Sequence, residues 1–165
     1  MAGAVPIVIK RVLEASRPRV FKALTAPEVM SRWFFPSPGW TARVTADVRV
    51  GGGYTIAMRD EAGGLHEQLG AYKEISPVSR LVFSWTCREV GVVDSLVTIE
   101  LAEIDELGDR RGRTELTLTH LLSGTHPDLH QVRRGHEEGW IGCLGQLDLL
   151  LRIQPTEGND DGFDQ

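Results

Sequence analysis

The chain of 165 residues is long enough for one domain with a sizeable core, and its 41% hydrophobic and 25% charged residues are typical of a soluble globular protein. No apolar run approaches the ~18 residues that a membrane span requires. The N-terminus lacks the order of charged and apolar residues that marks a secretory signal, so we expect a cytoplasmic protein.

The net charge of −5 is concentrated at the end of the chain. Residues 155–165 carry four acidic and no basic side chains, which predicts a disordered acidic tail after a single domain over residues 1–154. The remaining acidic residues nearly balance the 18 basic ones, and this argues against nucleic acid as a partner. The two cysteines, Cys87 and Cys143, are expected to be buried thiols rather than a disulfide.

The first elements are a strand and two short helices. Alternating apolar residues predict a strand over residues 5–14. Ser16 is placed to cap a short helix that ends near Leu24. Thr25 and Glu28 then have the spacing of a capping box, which predicts the start of a second short helix.

Six further strands are predicted between residues 41 and 122. Apolar and polar residues alternate in each segment, and turns rich in glycine, proline and aspartate separate them. Together with the first strand they predict an antiparallel sheet of about seven strands that curves strongly. The segments are TARVTADVRV, GGGYTIAMRD, HEQLGAYKEI, RLVFSWTCRE, SLVTIELAEI and RTELTLTHLL.

A long helix is predicted from Asp128 to Ile153. Its apolar residues form one broad stripe at the helical period, which we expect to face the concave side of the sheet. Gly135, Gly139 and Gly142 fall on the opposite side, so we expect them on the outer surface of the helix. There they either face solvent or allow close approach of a neighbouring loop or a second subunit. The stripe consists of Leu129, Val132, His136, Trp140, Cys143, Leu144, Leu147, Leu150 and Leu151.

Six segments in register resemble one protein family. They are RVLEASRPRVFKALTAPEVMSRWFFP, GGGYTIAMRDEAG, GAYKEISPVSRLVFSW, SLVTIELAEI, TELTLTHLLSG and GWIGCLGQLDLLL. Over about residues 7–152 the chain resembles the AHSA1-type branch (activator of heat-shock-protein-90 ATPase homologue) of the START-like SRPBCC superfamily. The resemblance implies an α+β helix-grip fold, in which a curved seven-stranded antiparallel sheet wraps round the C-terminal helix and leaves a hydrophobic cavity between them. It does not select a function, because the superfamily includes lipid carriers, plant hormone receptors and aromatic polyketide cyclases.

Candidate ligand-binding residues follow from the parity of the strands and from the helix stripe. Such a cavity needs an apolar lining with a few polar anchors, and His120 or Tyr72 is the expected anchor. The alternative for His120 is a core histidine that a backbone group satisfies. No metal-ligand, nucleophile or cofactor-loop pattern is recognised, so no catalytic residue, metal or cofactor is assigned. The candidates are Trp33, Phe35, Trp40, Met58, Tyr72, Phe83, Trp85, Leu118, His120, Trp140, Leu144 and Leu147.

The leading functional prediction is a protein that binds a small hydrophobic or aromatic molecule between the sheet and the C-terminal helix. Two alternatives remain open. One is an enzyme of the cyclase, dehydratase or hydrolase type, in which His120 acts inside the cavity. The other is a protein-interaction module, either a regulator of a chaperone ATPase or a homodimer formed through the glycine-bearing face of the helix.

Overall fold

The computed structural model describes residues 6–104, 112–122 and 128–153, and the predicted acidic tail lies outside these ranges. The elements follow the predicted order of one strand, two short helices, six strands and a long helix. The helices are α1 (Arg17–Thr25), α2 (Pro27–Met30) and α3 (Leu129–Ile153), with a 3-10 helix η1 (Arg88–Val90). The strands are β1 (Ile7–Leu13), β2 (Thr41–Ala46), β3 (Gly53–Arg59), β4 (Leu65–Ser76), β5 (Arg80–Cys87), β6 (Val92–Ile104) and β7 (Arg113–Leu121).

All seven strands form one antiparallel sheet that curls into a half-barrel. Its order is β1-β7-β6-β5-β4-β3-β2, so sequential strands pair as hairpins and β1 pairs with the last strand. The predicted parity is confirmed, because Leu116, Leu118 and His120 on β7 are all buried. A Cβ at Gly70 would overlap the backbone carbonyl of Ser84. Glycine therefore allows the close approach of β4 and β5 within the curl.

The two short helices begin in different ways. Ser16 caps α1 as predicted, since its hydroxyl oxygen accepts a hydrogen bond from the backbone N–H of Arg19 over 3.5 Å. Thr25 does not cap α2. It is the last residue of α1, and its hydroxyl donates to the carbonyl of Phe21 over 2.8 Å, while Ala26 takes the N-cap position. The predicted capping box is wrong because the threonine hydroxyl bonds back into its own helix.

The apolar stripe of α3 faces the sheet, as predicted, and Trp140, Leu144 and Leu147 are buried there. Asp148 lies on the same buried side of the helix. Its carboxylate accepts a hydrogen bond from Nη2 of Arg11 on β1 over 3.0 Å. This ion pair fastens the second half of α3 to the edge strand of the sheet. None of the described helices is both long and apolar enough to cross a membrane.

The glycines of α3 have two different environments. A Cβ at Gly142 would overlap the carbonyl of Pro36, which confirms the close approach of a neighbouring loop at this position. A Cβ at Gly135 or Gly139 would meet nothing within 4 Å, and both residues line a cavity between α3 and the sheet. Gly135 is exposed, as expected of an outer position, and Gly139 is partly exposed, so the two glycines border the cavity where it meets solvent.

Candidate functional site

The main cavity has a volume of about 680 Å³ and lies between the first half of α3 and the inner faces of β3, β4 and β5. The loop after α2 and the 3-10 helix η1 complete its wall. The volume falls within the ~300–1,000 Å³ of small-molecule sites. The lining consists of Phe34, Pro36, Trp40, Met58, His66, Gln68, Trp85, Cys87, Glu89, Val90, Gly91, Asp128, Gln131, Val132, Gly135, His136, Gly139, Trp140 and Cys143.

Three aromatic rings from three different elements form the floor of the main cavity. Phe34 follows α2, Trp85 lies on β5 and Trp140 lies on α3. The ring centroids of Trp85 and Trp140 are 4.8 Å apart, and that of Phe34 lies 5.7 Å from Trp140 and 6.2 Å from Trp85. The three residues are only 3–4% exposed, so the rings pack mainly against one another at the base of the cavity.

His136 contributes a ring whose two nitrogens are both engaged by the protein. Trp85 donates its indole N–H to Nε2 of His136 over 3.2 Å, and Nδ1 donates to the carbonyl of Val132 over 3.1 Å. This pattern fixes a neutral ring with its proton on Nδ1. Burial lowers the pKa of His136, and the hydrogen bond to Val132 opposes this only in part.

His120 lies behind the aromatic floor and does not line the main cavity. Trp140 donates its indole N–H to Nδ1 over 3.0 Å, and Nε2 lies 2.8 Å from the hydroxyl oxygen of Ser95. The Ser95 hydroxyl itself donates to the carbonyl of Trp85 over 2.7 Å, so Nε2 carries the proton and donates to Ser95. Burial, with a further contribution from His136, lowers the pKa of His120 to about 3. This is the arrangement of a core histidine, with side-chain partners in place of the expected backbone group.

A charged cluster, the His66 clasp, consists of Asp60, His66 and Glu89 and lies at the rim of the main cavity. Nε2 of His66 is 2.9 Å from Oδ2 of Asp60, and Nδ1 is 2.9 Å from Oε2 of Glu89. The hydrogen bond with Asp60 is the main cause that raises the pKa of His66, and the same bond lowers the pKa of Asp60. The two carboxylates therefore favour the protonated form of the His66 ring, and the clasp joins the turn after β3 to η1. The ring of His66 stacks on that of Trp40, with the ring centroids 5.1 Å apart.

The clasp does not amount to a metal centre. Across the described ranges, no group of three or more histidine, cysteine, aspartate or glutamate side chains is arranged to hold a metal ion.

Gln68 contributes a polar side chain to the wall of the main cavity. The residue is only 7% exposed, and its Oε1 has no hydrogen-bond partner among the described residues. Its side chain is a hydrogen-bonding neighbour of the Cys87 thiol, whose pKa is raised mainly by burial. Gln68 and His66 are not among the residues predicted from the sequence, although both have the parity of Tyr72 on the same strand.

The structure brings four of the predicted ligand-binding residues together in the main cavity: Trp40, Met58, Trp85 and Trp140. Phe35, which was predicted to face the ligand, is half-buried against the core, and its neighbour Phe34 lines the cavity instead. Gly135 and Gly139 also belong to the lining.

Four other predicted residues line a separate void of about 10 Å³, which has room for about one water molecule. They are Trp33, Tyr72, Phe83 and Leu144. The indole N–H of Trp33 donates to the carbonyl of Ala23 over 2.8 Å. The Tyr72 hydroxyl is buried without a partner among the described residues, and burial raises its pKa to about 12. Leu118, His120 and Leu147 are fully buried and line neither space.

The protein family is identified by a match to a family model. The family model described as "Activator of Hsp90 ATPase homolog 1-like protein" matches residues 14–152. The chain belongs to this family, and proteins of its fold commonly bind small hydrophobic ligands. No curated protein matches the sequence.

Three solved structures of bacterial proteins share the fold. A protein of Nitrosomonas europaea is 24% identical with a TM-score of 0.71, and the match covers 92% of this chain and 96% of the other. A protein of Rhizobium leguminosarum is 27% identical with a TM-score of 0.66, over 93% and 97% of the two chains. A protein of Arthrobacter aurescens is 21% identical with a TM-score of 0.74, over 96% and 92%.

Proposed function

We propose that the protein binds a small hydrophobic or aromatic molecule in the main cavity. The observation that carries this proposal is the coexistence of a volume of about 680 Å³ with an aromatic floor. Two of the floor residues, Trp85 and Trp140, have their indole N–H groups satisfied by His136 and His120. Neither indole N–H therefore needs a ligand as its partner, and apolar contact with the cavity lining would contribute about 25 cal/mol per Å² of buried area.

The first half of α3, which borders the cavity, supports the same proposal. Gly135 and Gly139 add no side chain where the helix borders the cavity, whereas Leu144 and Leu147 fill the space further along. Each glycine costs a helix interior about 1 kcal/mol relative to alanine. A Cβ would fit at both positions, so packing does not require glycine there. Access to the cavity is the feature that the two glycines provide.

A titration with methylpyrene, a fluorescent apolar probe, tests this proposal. Wild type is expected to bind the probe saturably with one site per chain. Gly139→Phe places a ring in the cavity and is expected to abolish binding. Gly145→Phe is the matched control, because Gly145 has open space around it but does not line the cavity. Equal binding by the two variants, or no binding by wild type, would refute the proposal.

Catalysis by His120 has no specific support in the geometry. Both ring nitrogens are occupied by Trp140 and Ser95, and the ring does not line the main cavity. The leading proposal therefore assigns His120 a structural role. A cytoplasmic location is part of the same proposal, and the two free, buried cysteines are compatible with a reducing compartment.

A homodimer is a second proposal, and one specific feature of α3 favours it. Ile141, Leu149 and Ile153 are 49%, 52% and 64% exposed and lie at helical spacing on one outer face. Gly145 lies in the same stripe with nothing within 4 Å of a Cβ. Light scattering at high protein concentration tests this idea, and a monomeric mass would refute it.

A further inference from the structure

We propose that the His66 clasp is a pH-controlled latch at the mouth of the main cavity. The latch is closed while both nitrogens of the His66 ring carry a proton. Loss of one proton releases Glu89 and lets η1 move away from the cavity. A bound ligand then leaves faster at higher pH, and this last step rests on the proposed function.

The mouth of the main cavity lies between η1 and the first turns of α3. The deeper part of the lining is buried and includes Trp85 and Trp140. The exposed residues of the lining all belong to η1, to the residue that follows it, and to the beginning of α3 with the residue before it. They are Glu89, Val90, Gly91, Asp128, Gln131 and Gly135. A movement of η1 away from α3 would therefore widen the opening.

Two carboxylates hold the His66 ring at its two nitrogens. Nε2 is 2.9 Å from Oδ2 of Asp60 in the turn after β3, and Nδ1 is 2.9 Å from Oε2 of Glu89 on η1. An ionised carboxylate only accepts hydrogen bonds, so the two bonds together need an N–H at both nitrogens. A neutral ring has one N–H and would point the lone pair of its other nitrogen at a carboxylate. One of the two bonds must therefore break when the ring loses a proton.

Glu89 is the partner that the neutral ring would release. Asp60 is fixed in its turn, because its Oδ1 accepts hydrogen bonds from the backbone N–H groups of Ala62 and Gly64 over 2.9 and 2.8 Å. The side chain of Glu89 is 46% exposed, and no residue of η1 is buried. A segment with so little buried surface opens easily once a side-chain tie is lost.

η1 keeps a further tie at its own base. The backbone N–H groups of Glu89 and Val90 are hydrogen-bonding neighbours of the Cys87 sulfur. Cys87 is the last residue of β5, directly before η1, so this tie does not hold η1 to the turn after β3. Among the described contacts, the clasp is the one that joins η1 to that turn.

The groups around the His66 ring suit a latch that works near neutral pH. The hydrogen bond with Asp60 raises the pKa of His66 above 6.5, burial opposes this, and Glu89 raises it further. Trp40 stacks on the ring and carries no charge. Elsewhere in the lining, burial lowers the pKa of His136 below 6.5 and raises that of Cys87 above 9.0. Above pH 6.5 the titration of His66 is therefore separated from those of His136 and Cys87.

The release of methylpyrene from wild type tests the latch, because this probe has no ionisable group of its own. Protein loaded with the probe is mixed in a stopped-flow instrument with an excess of phosphatidylcholine vesicles, which capture the released probe. The release rate is expected to rise about tenfold from pH 6.5 to about pH 8.5, which corresponds to the loss of one hydrogen bond.

Two substitutions of Glu89 separate the latch from other effects of pH. In Glu89→Gln the introduced amide accepts from a charged ring and donates to a neutral one, so the latch stays closed and release is expected to be slow throughout the range. In Glu89→Ala the partner is missing, and release is expected to be fast throughout. His130→Gln is the matched control, because His130 is exposed on α3 outside the cavity lining, and it should keep the tenfold rise.

Amide hydrogen exchange of η1 gives a readout that needs no ligand. At about pH 8.5 the N–H groups of η1 are expected to exchange about tenfold faster in wild type than in Glu89→Gln. Equal exchange, or a release rate with the same pH dependence in both proteins, would overturn the latch while methylpyrene binding upholds the proposed function. Failure of methylpyrene to bind would overturn the proposed function, and the exchange of η1 would then decide the latch.

Discussion

The indole N–H of Trp140 on α3 donates a hydrogen bond to Nδ1 of His120 on β7 over 3.0 Å. His120 is completely buried and Trp140 is 3% exposed, so this bond lies in the core between the helix and the sheet. The ring then donates to Ser95 on β6, and a polar chain ties α3 to two strands. Buried polar groups that are fully bonded in this way specify one arrangement of the core.

The first prediction concerns the removal of this polar chain. His120→Leu leaves the Trp140 N–H and the Ser95 oxygen without their partner. The free energy of unfolding is expected to fall by roughly 2–4 kcal/mol, since each unsatisfied buried group costs about 1–3 kcal/mol. Urea unfolding at neutral pH measures this. His130→Leu on the exposed side of α3 is the control and should change stability by less than about 0.5 kcal/mol.

The folded His120→Leu variant should still bind methylpyrene, because His120 does not line the main cavity. An unchanged unfolding free energy would contradict the structural role assigned to His120.

The second prediction concerns pH. Burial lowers the pKa of His120 from 6.5 to about 3 and also lowers that of His136. Below about pH 6.5 the unfolded chain binds protons that the folded protein excludes, so stability falls as the pH falls towards 3. His120→Gln is expected to make this decline shallower by up to ~1.4 kcal/mol per pH unit. Urea unfolding over a series of pH values measures the slope.

The His66 clasp is expected to change the stability of the protein with pH in the opposite direction. The pKa of His66 is raised above 6.5, so its stabilising contribution is complete below that value and is lost as the pH rises through the raised pKa. His66→Gln should therefore remove a loss of stability above about pH 6.5 and leave the slope due to the buried histidines. Identical pH profiles for His66→Gln and wild type would contradict the assignment of a cationic ring to the clasp.

The fold was predictable because its signals are local and periodic. The alternation of TELTLTH predicts one buried face of a strand, and the spacing of Trp140, Leu144 and Leu147 predicts one buried face of a helix. The resemblance to a family then supplied the curl of the sheet and the grip on the helix. The predicted capping box is wrong because a threonine that fits the pattern of an N-cap can also be the last residue of the preceding helix. Thr25 ends α1, and its hydroxyl donates a hydrogen bond to the carbonyl of Phe21.

The third prediction is a matched pair of glycine substitutions in α3. Gly139→Ala should stabilise the protein by about 1 kcal/mol, because a Cβ meets nothing within 4 Å and alanine is the better helix former. Gly142→Ala should destabilise it by about 1–3 kcal/mol, since the Cβ would overlap the carbonyl of Pro36. Thermal and urea unfolding measure both. If the two substitutions changed stability with the same sign and size, Gly139 and Gly142 would not have the different environments that the structure gives them.

The fourth prediction concerns the ion pair between Arg11 and Asp148. Their side chains are 36% and 11% exposed, and the pair joins residues at opposite ends of the chain. A double-mutant cycle with Arg11→Met and Asp148→Ala is expected to give a coupling energy of about 1–2 kcal/mol. The same cycle on the more exposed pair Arg80 and Glu100 should give less than about 1 kcal/mol. A coupling near zero for Arg11 and Asp148 would show that α3 is not fastened to β1 in this way.

The site was only partly predictable, and the reasons are physical. Parity along a strand tells which residues face inward, but it does not tell which inner residues touch other side chains and which border empty space. Trp85 and Leu118 both face inward, yet Trp85 lines the cavity and Leu118 is fully enclosed. The empty space borders Gly135 and Gly139, which have no side chains, and a stripe of apolar residues does not reveal it.

A crystal structure of the complex with methylpyrene tests the central claim most directly. The account predicts the pyrene ring in the main cavity, in contact with the lining residues Trp85 and Trp140 and beside Gly139. A probe bound on the outer face of α3, or a cavity filled by protein side chains with the probe elsewhere, would contradict it.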